Sequence, residues 1–311
     1  MLAILIGLTI GIGLPIQTSI NSRLRTSVGS PFVASGVSFT VGTLFLVVMT
    51  LLLDHSLGFS TTLFSSQPLW IWLGGFFGVI YLTGNILLFP KLGSVQTVIM
   101  PVLGQILMGL LVDDFGWFGS QQNPLTVVRV LGAGLVLLGV ICTVALSTWL
   151  ANHHDTTTVK NASGLWFWRL AGVVTGMLSA TQTAINGHLG TVLHSSLKAA
   201  LVSFFVGMVA LILIVLISRT KLQLTTPAGQ HNPWWMWVGG LIGALYVLGN
   251  VVLVPLVGTG LAVVIVLVGL MAGSLLIDQF GWLGAKRHPI TVVQIVGLLI
   301  MIVGVALIRL F

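Results

Sequence analysis

Paired polar side chains stand inside long apolar stretches of this sequence. Gln17 and Asn21 are four residues apart, and so are Tyr81 and Asn85. On a helix this spacing puts both side chains of a pair on one face, about one turn from each other. A buried amide donates and accepts hydrogen bonds, but it cannot take up and release a proton near neutral pH. The chemistry that these pairs offer is therefore hydrogen bonding to a neighbouring helix or to a polar substrate.

The same pairs recur in the second half of the chain, and Gln105 adds an amide whose counterpart there is Leu270. Polar groups at membrane depth either join helices or line a path for something polar. Joining helices alone does not explain four polar positions that recur in both copies, so we favour the path. The predicted path residues are Gln17, Asn21, Tyr81, Asn85, Gln105, Gln182, Asn186, Tyr246 and Asn250.

The acidic residues are few, and all five are aspartates, so the chain contains no glutamate. Asp113 and Asp278 share one position in two stretches of the form Asp-x-Phe-Gly, each at the end of an apolar run. Such a residue either organises the turn that follows or acts as a gate, with Arg129 as the ion-pair partner of Asp113. Gln294 stands where the second copy would need an arginine, so that gate could not be symmetric.

The composition excludes several classes of protein. Of 311 residues 56% are hydrophobic and only 5% are charged, against about 25% charged in soluble domains. The cations are scattered, whereas nucleic-acid binding needs them on one face. The single Cys142 cannot form an internal disulfide. We find no metal-site spacing and no nucleophile-and-base constellation at membrane depth, so we expect no metal, no cofactor and no enzyme activity.

Ten apolar stretches are long enough to cross about 30 Å of hydrocarbon as helices. Because backbone groups in lipid must be bonded internally, these stretches are helices if they span, and the fold class is all-α. The predicted spans are 2–21, 33–53, 70–90, 94–112, 125–149, 166–186, 198–217, 234–255, 259–277 and 290–310.

An internal repeat organises these spans. An offset of 165 residues aligns 72–93 with 237–258 without a gap, and it aligns 111–119 with 276–284. The sequence therefore predicts two five-helix units. The first unit is 1–150, a cytoplasmic linker is 151–164, and the second unit is 165–311.

An odd number of helices per unit makes the second unit enter the membrane upside down. This predicts ten transmembrane helices as a 5+5 inverted-topology repeat. Nine of the twelve lysines and arginines fall in or beside loops that follow odd-numbered spans, and three fall on the other side. Because cations accumulate on the cytoplasmic side, we expect both termini to be extracytoplasmic.

Three motifs together resemble the YdcZ-type family of the drug/metabolite transporter superfamily. They are Gly-x-x-x-Pro-x-Gln-x-x-x-Asn at 11–21, Gly-Gly-x-x-Gly-x-x-Tyr at 74–81 and 239–246, and [Ile/Val]-Asp-x-Phe-Gly-x-x-Gly at 112–119 and 277–284. Most members of that family are single five-helix units. The resemblance implies a ten-helix transporter of the drug/metabolite transporter fold, in which the first four helices of each half line a central cavity. It implies no particular substrate.

We therefore expect a multi-pass protein of the cell membrane that works as a secondary transporter by alternating access. The expected cargo is a small polar, zwitterionic or weakly cationic metabolite or drug-like molecule. The expected partners are that molecule and the lipid bilayer, without nucleic acid, and the chain is expected as a monomer or a homodimer. The alternative is a membrane-embedded assembly, regulatory or lipid-handling protein that does not transport. An assembly or regulatory subunit predicts a sealed bundle with no polar cavity between the halves.

The energy source is constrained by what the sequence lacks. It contains no nucleotide-binding loop, so ATP is not expected to drive transport directly. Small multidrug exporters of the same superfamily couple to protons through a glutamate in the first helix, where this chain has amides. We therefore expect facilitated diffusion, or coupling through another group.

Overall fold

The computed structural model describes residues 2–146, 165–219, 233–282 and 290–310, and within these ranges it contains helices and no strand. The predicted linker 151–164 lies outside the described residues. The α-helices are α1 Leu2–Val28, α2 Pro31–Leu53, α3 Leu63–Ser66, α4 Gly74–Phe115, α5 Val127–Val140, α6 Leu165–Val192, α7 Ser196–Ile217, α8 Gly239–Val257, α9 Thr259–Phe280 and α10 Val292–Leu310. Residues Ile141–Leu146 continue α5 as a π-helix.

Among the described residues, six segments are long and apolar enough to cross a membrane. They are Leu2–Val28, Pro31–Leu53, Val98–Phe115, Ser196–Ile217, Gly239–Val257 and Thr259–Ile277. Shorter apolar helices cover Val127–Thr143 and Val292–Ile308. The chain is thus an all-helical protein with several membrane-spanning segments, and the count of ten stays a prediction.

The helix ends follow local sequence signals that the two halves share. The side chain of Ser30 accepts a hydrogen bond from the backbone N–H of Val33 at the start of α2, and Ser195 does the same for Lys198 at the start of α7. Both α4 and α9 end at a glycine in the left-handed region, Gly116 and Gly281, a conformation that other residues adopt at a cost. This explains the repeated Phe-Gly: the glycine terminates the helix.

Helix α4 reverses direction along its length. A Cβ atom placed on Gly172 of α6 would lie 3.6 Å from Cδ1 of Leu88 and 2.7 Å from Cβ of Met100. Leu88 and Met100 are twelve positions apart, which would separate them by about 18 Å in a straight helix. The continuous helix therefore contains a sharp turn, and its two arms correspond to the predicted spans 70–90 and 94–112. In the second copy Gly258, with φ of 80°, separates α8 from α9.

The two halves pack on each other through contacts that the same offset relates. Helix α1 lies against α8 and α9, and α6 lies against both arms of α4; we call these contacts the seam. Helix α2 packs on α7, and α5 packs on α10. At the α2–α8 contact a Cβ atom on Gly240 would collide with the backbone oxygen of Ser38. At the equivalent α4–α7 contact one on Gly75 would collide with the backbone oxygen of Ser203. Both glycines thus allow close approach of two backbones.

Candidate functional site

A cavity lies between the two halves, where the seam helices meet. Four of its residues come from the apolar helix α9, and the others come from α1, α4, α6 and α8. The lining residues are Leu14, Tyr81, Gln105, Ser179, Thr183, Tyr246, Val263, Val266, Leu267 and Leu270. Both tyrosines of the chain thus face one cavity, one from each half.

The cavity is closed in this conformation. It encloses about 10 Å³, which is room for about one water molecule. A metabolite-sized ligand needs several hundred Å³. The helices must therefore move apart before the cavity holds such a ligand.

Hydrogen bonds connect the polar side chains of the cavity. The amides of Asn85 and Gln105 lie against the hydroxyl of Tyr81. Gln105 is 7% exposed and donates through Nε2 to Oγ of Ser179 at 3.3 Å. The Oδ1 atom of Asn85 is buried and has no hydrogen-bond partner among the described residues. The structure therefore brings three predicted residues of the first half into one polar group.

The second half contributes a smaller polar group. Tyr246 lies near Tyr81, and the amide of Asn250 lies against its hydroxyl. Nδ2 of Asn250 also donates to the backbone oxygen of Tyr246 at 3.0 Å. Where the first half has Gln105, this side has Leu270.

The four remaining amides lie at the seam. Nε2 of Gln17 would lie 2.5 Å from a Cβ atom on Gly243, and Nε2 of Gln182 would lie 2.6 Å from one on Gly78. Each side chain therefore covers a glycine of the other half. This placement is also the one that joins helices, and the path-lining role of these glutamines stays a prediction.

The two asparagines repeat this arrangement one turn further along. Asn21 lies against Gly239, and Asn186 lies against Gly74. Ser38 donates to Oδ1 of Asn21 at 2.6 Å, and Nδ2 of Asn186 donates at 3.0 Å to a serine that the offset pairs with Ser38. These asparagines are not among the residues that line the closed cavity.

Ser179 and Thr183 line the cavity but were not among the predicted residues. Thr183 donates to the backbone oxygen of Ser179 at 3.1 Å. Because hydroxyl groups satisfy themselves in this way within a helix, they are common in membrane helices and carry little signal. The available signal was their spacing of four residues, which puts both on one face of α6.

Asp113 lies at one end of the seam and connects the two halves. Its carboxylate is fully buried and accepts hydrogen bonds from the backbone N–H groups of Thr259 at 2.8 Å and Gly260 at 2.9 Å. A carboxylate at the first turn of a helix satisfies unpaired N–H groups and opposes the helix dipole. A residue of the first half thus caps α9 of the second.

A buried arginine completes this group. Nη2 of Arg129 lies 3.3 Å from Oδ2 of Asp113, and the guanidinium also donates to the backbone oxygens of Asn123 and Pro124. The side chain of Asp278 lies outside the described part of the structure. Gln294, which stands where Arg129 would be, accepts a hydrogen bond from the backbone N–H of Thr291 at 2.8 Å. No group of three His, Cys, Asp or Glu side chains that could hold a metal ion occurs among the described residues.

Apolar helices in two copies of one unit define a helical membrane protein with an internal repeat. The family model described as "Putative inner membrane exporter, YdcZ" matches residues 2–142 and again residues 167–307. The chain belongs to this family, a family of inner membrane transporters rather than enzymes. The two matches start 165 residues apart, so they confirm the repeat that the sequence predicted.

A comparison of structures agrees on the fold. A crystal structure of a protein with 15% sequence identity superimposes with a TM-score of 0.67, covering 98% of this chain and 94% of the other. At that identity the likeness shows the fold alone. No curated protein matches the chain by sequence.

Proposed function

We propose that the chain is a secondary transporter that moves a small polar, zwitterionic or weakly cationic molecule by alternating access. The observation that carries this proposal is the closed cavity between the halves, into which each half places a tyrosine. A site enclosed between two related units is what alternating access requires, because rocking one unit against the other opens either side in turn.

Contact directions support an inverted repeat of ten spans. Near the start of α1, Gly7 lies near Leu253 and Ile265. Ten residues further along α1, Gln17 lies near Gly243. Further along α9, Gly273 lies near Ile12. Helix α1 is therefore antiparallel to α8, the third span of the other unit, and parallel to α9, its fourth.

Helix direction alternates along an up-and-down bundle, so the first and third spans of one unit run the same way. An antiparallel pair formed by the first span of one unit and the third of the other therefore supports units of opposite orientation. The fifth spans agree: Gly132 lies near Gly304, and Gly139 lies near Gly297, so α5 and α10 are antiparallel.

The proposed topology puts both termini outside. It rests on nine cations in one set of loops against three in the other. Contacts between the halves join helix ends that this topology assigns to one side: Asp54 accepts a hydrogen bond from Ser195, and Lys198 donates to the backbone oxygen of Gly58 at 2.8 Å. Tags on the two termini test the orientation, and a cytoplasmic terminus would overturn it.

The Asp113 group is the proposed gate of the outer side. Opening the cavity on that side separates α4 from the start of α9, so the Asp113 carboxylate must leave the N–H groups of Thr259 and Gly260. Arg129 belongs to the first half and stays with the carboxylate. The gate therefore loses the bonds that cross between the halves and keeps its ion pair.

A cysteine-accessibility experiment tests alternating access without knowledge of the substrate. The single Cys142 is first replaced by serine, and Ser179→Cys then places a thiol in the cavity. Val174→Cys is the matched control, since Val174 lies on the same helix and is 44% exposed on its outer face. A membrane-impermeant maleimide is applied to right-side-out and to inverted membrane vesicles.

We expect Cys at 179 to react from both sides and Cys at 174 to react from neither, because a thiol in lipid does not ionise. Reaction at 179 from one side only contradicts alternating access. Protection from both sides favours the alternative of a sealed assembly, regulatory or lipid-handling protein.

A further inference from the structure

At two positions of the cavity, one copy of the repeat has a polar residue where the other has an apolar one. Leu14 is paired by the offset with Ser179, and Gln105 is paired with Leu270, while Tyr81 is matched by Tyr246. All six residues line the cavity. The two polar members, Gln105 and Ser179, are in hydrogen-bonding contact with each other at 3.3 Å. The polar members of the two unlike pairs therefore lie together at one end of the cavity.

This gives the cavity a polar end and an apolar end. Ser179 is 4% exposed and Gln105 is 7% exposed, and Thr183 lies beside them on α6. The pseudo-symmetric position opposite is occupied by Leu14 and Leu270, with further apolar residues of α9 and with Tyr246 as the counterpart of Tyr81. We call the first group the polar end and the pair Leu14 and Leu270 the apolar end.

We propose that the cavity binds a neutral amphipathic molecule in one orientation, with its hydrogen-bonding group at the polar end and its apolar part at the apolar end. This inference rests on the proposed transport function and narrows its substrate class. The described residues that line the cavity carry no charge. An ion placed there would lose its hydration without gaining a counter-ion, so a neutral ligand is favoured over a zwitterion or a cation.

The polar end offers both donors and acceptors. A glutamine amide has two N–H donors and a carbonyl oxygen, and one donor of Gln105 is used by Ser179. The hydroxyl of Ser179 and that of Tyr81 add to the set. One neutral hydrogen bond is worth about fivefold in affinity. Each methylene buried at the apolar end is worth about fourfold.

A matched set of ligands tests the proposal on the purified full-length protein in lipid nanodiscs. The probes are 2-phenylethanol, propylbenzene and 2-phenylethylammonium, which have the same number of heavy atoms and differ in their terminal group. Ligand-observed NMR measures binding, with empty nanodiscs subtracted to remove partition into lipid. We expect 2-phenylethanol to bind about fivefold more tightly than propylbenzene, and the ammonium to bind more weakly than the alcohol.

Two variants locate this preference in the cavity. Gln105→Leu with Ser179→Leu copies the apolar end onto the polar end, and we expect the preference for the alcohol to disappear. Adding Leu14→Ser and Leu270→Gln exchanges the two ends without changing the composition, and we expect the preference to return. The lipid-facing Val174→Leu is the control and should change neither probe.

Three outcomes overturn the proposal: no binding of 2-phenylethanol, tighter binding of the ammonium, or a preference that survives Gln105→Leu with Ser179→Leu. The ranking of the three probes on the unmodified protein decides the matter even if a variant fails to fold. The cysteine experiment distinguishes failure of this proposal from failure of the proposed transport function. If Cys at 179 is accessible from both sides while the expected ranking of the probes is not found, alternating access is supported and a neutral amphipathic ligand is contradicted.

Discussion

The internal repeat is preserved in the contacts of the seam but not in the residues that line the cavity. At the seam, Asn21 and Asn186 each lie against the first glycine of a Gly-Gly-x-x-Gly stretch in the other half. Each also makes a hydrogen bond with a serine of the following helix, and the offset of 165 relates every member of one set to the other. In the cavity the same offset pairs Gln105 with Leu270, so polarity is kept on one side and lost on the other.

This difference separates two physical requirements. Under the proposed mechanism the halves exchange roles between two conformations, so equivalent contacts must be able to form and break on either side of the membrane. A bound ligand has no such symmetry, and a cavity with two unlike ends holds it in one orientation. We therefore expect equivalent seam contacts to be equally strong in the two halves, and the Asp113 group to differ from its counterpart, in which Gln294 replaces Arg129.

The largest loss of stability is expected at Asp113, where the first half has Arg129 and the second half has Gln294. Asp113→Ala removes the cap of α9 and leaves the buried guanidinium of Arg129 without its counter-ion. Breaking a buried ion pair from one side costs about 3–5 kcal/mol. Unfolding in a detergent titration measures the loss.

Arg129→Gln is the matched variant, because it gives the first half the residue that the second half has at 294. The carboxylate of Asp113 keeps its hydrogen bonds from Thr259, Gly260 and Ser120. The loss of stability should therefore be smaller than for Asp113→Ala. An equal or larger loss for Arg129→Gln would show that the ion pair, and not the helix cap, stabilises this end.

A smaller effect is expected from one added methyl group where α4 packs on α7. Gly75→Ala places a Cβ atom against the backbone oxygen of Ser203, and we expect a loss of about 1–3 kcal/mol from overpacking. Gly134→Ala is the control, because a Cβ atom there has nothing within 4 Å. Alanine favours a helix more than glycine does, by up to about 1 kcal/mol, so the control should be neutral or stabilising.

Thermal unfolding of the two variants, together with Gly240→Ala, completes this test. Gly240 meets the backbone oxygen of Ser38 as Gly75 meets that of Ser203. We expect similar losses at Gly75 and Gly240. A large loss at one of them alone would mean that the two halves are not packed alike.

The repeat, the family and the helix-terminating glycines could be predicted from the sequence, because each leaves a periodic or motif signal. Hydropathy placed the apolar segments but not the helix ends: α1 continues to Val28 beyond the predicted 2–21, and α6 continues to Val192 beyond 166–186. Hydropathy detects the hydrocarbon layer, whereas a helix continues until its backbone is capped. For the same reason α4 stays helical through its turn, where two separate spans were predicted.

The cavity could be predicted only in part. Tyr81, Gln105 and Tyr246 stood out because they are polar residues in apolar helices. Ser179 did not, because serine hydroxyl groups are common in membrane helices, where they bond to their own backbone. Leu14 and Leu270 are apolar residues among many, and nothing but tertiary contact shows that they face the cavity rather than lipid.

The smallest expected effect concerns the two serines that bond the seam asparagines. Ser203→Ala removes the hydrogen bond at 3.0 Å from Asn186, and Ser38→Ala removes the one at 2.6 Å to Asn21. A hydrogen bond between membrane helices is worth about 0.6 kcal/mol on average, because a helix in lipid also finds partners when unfolded. Double-mutant cycles that combine each variant with alanine at its asparagine measure the two coupling energies. Both serines are nearly inaccessible, at 2% and 3% exposed, so water cannot replace either bond and the two energies should be equal. Unequal coupling energies would extend the asymmetry of the cavity into the seam, and the halves could then not exchange roles at equal cost.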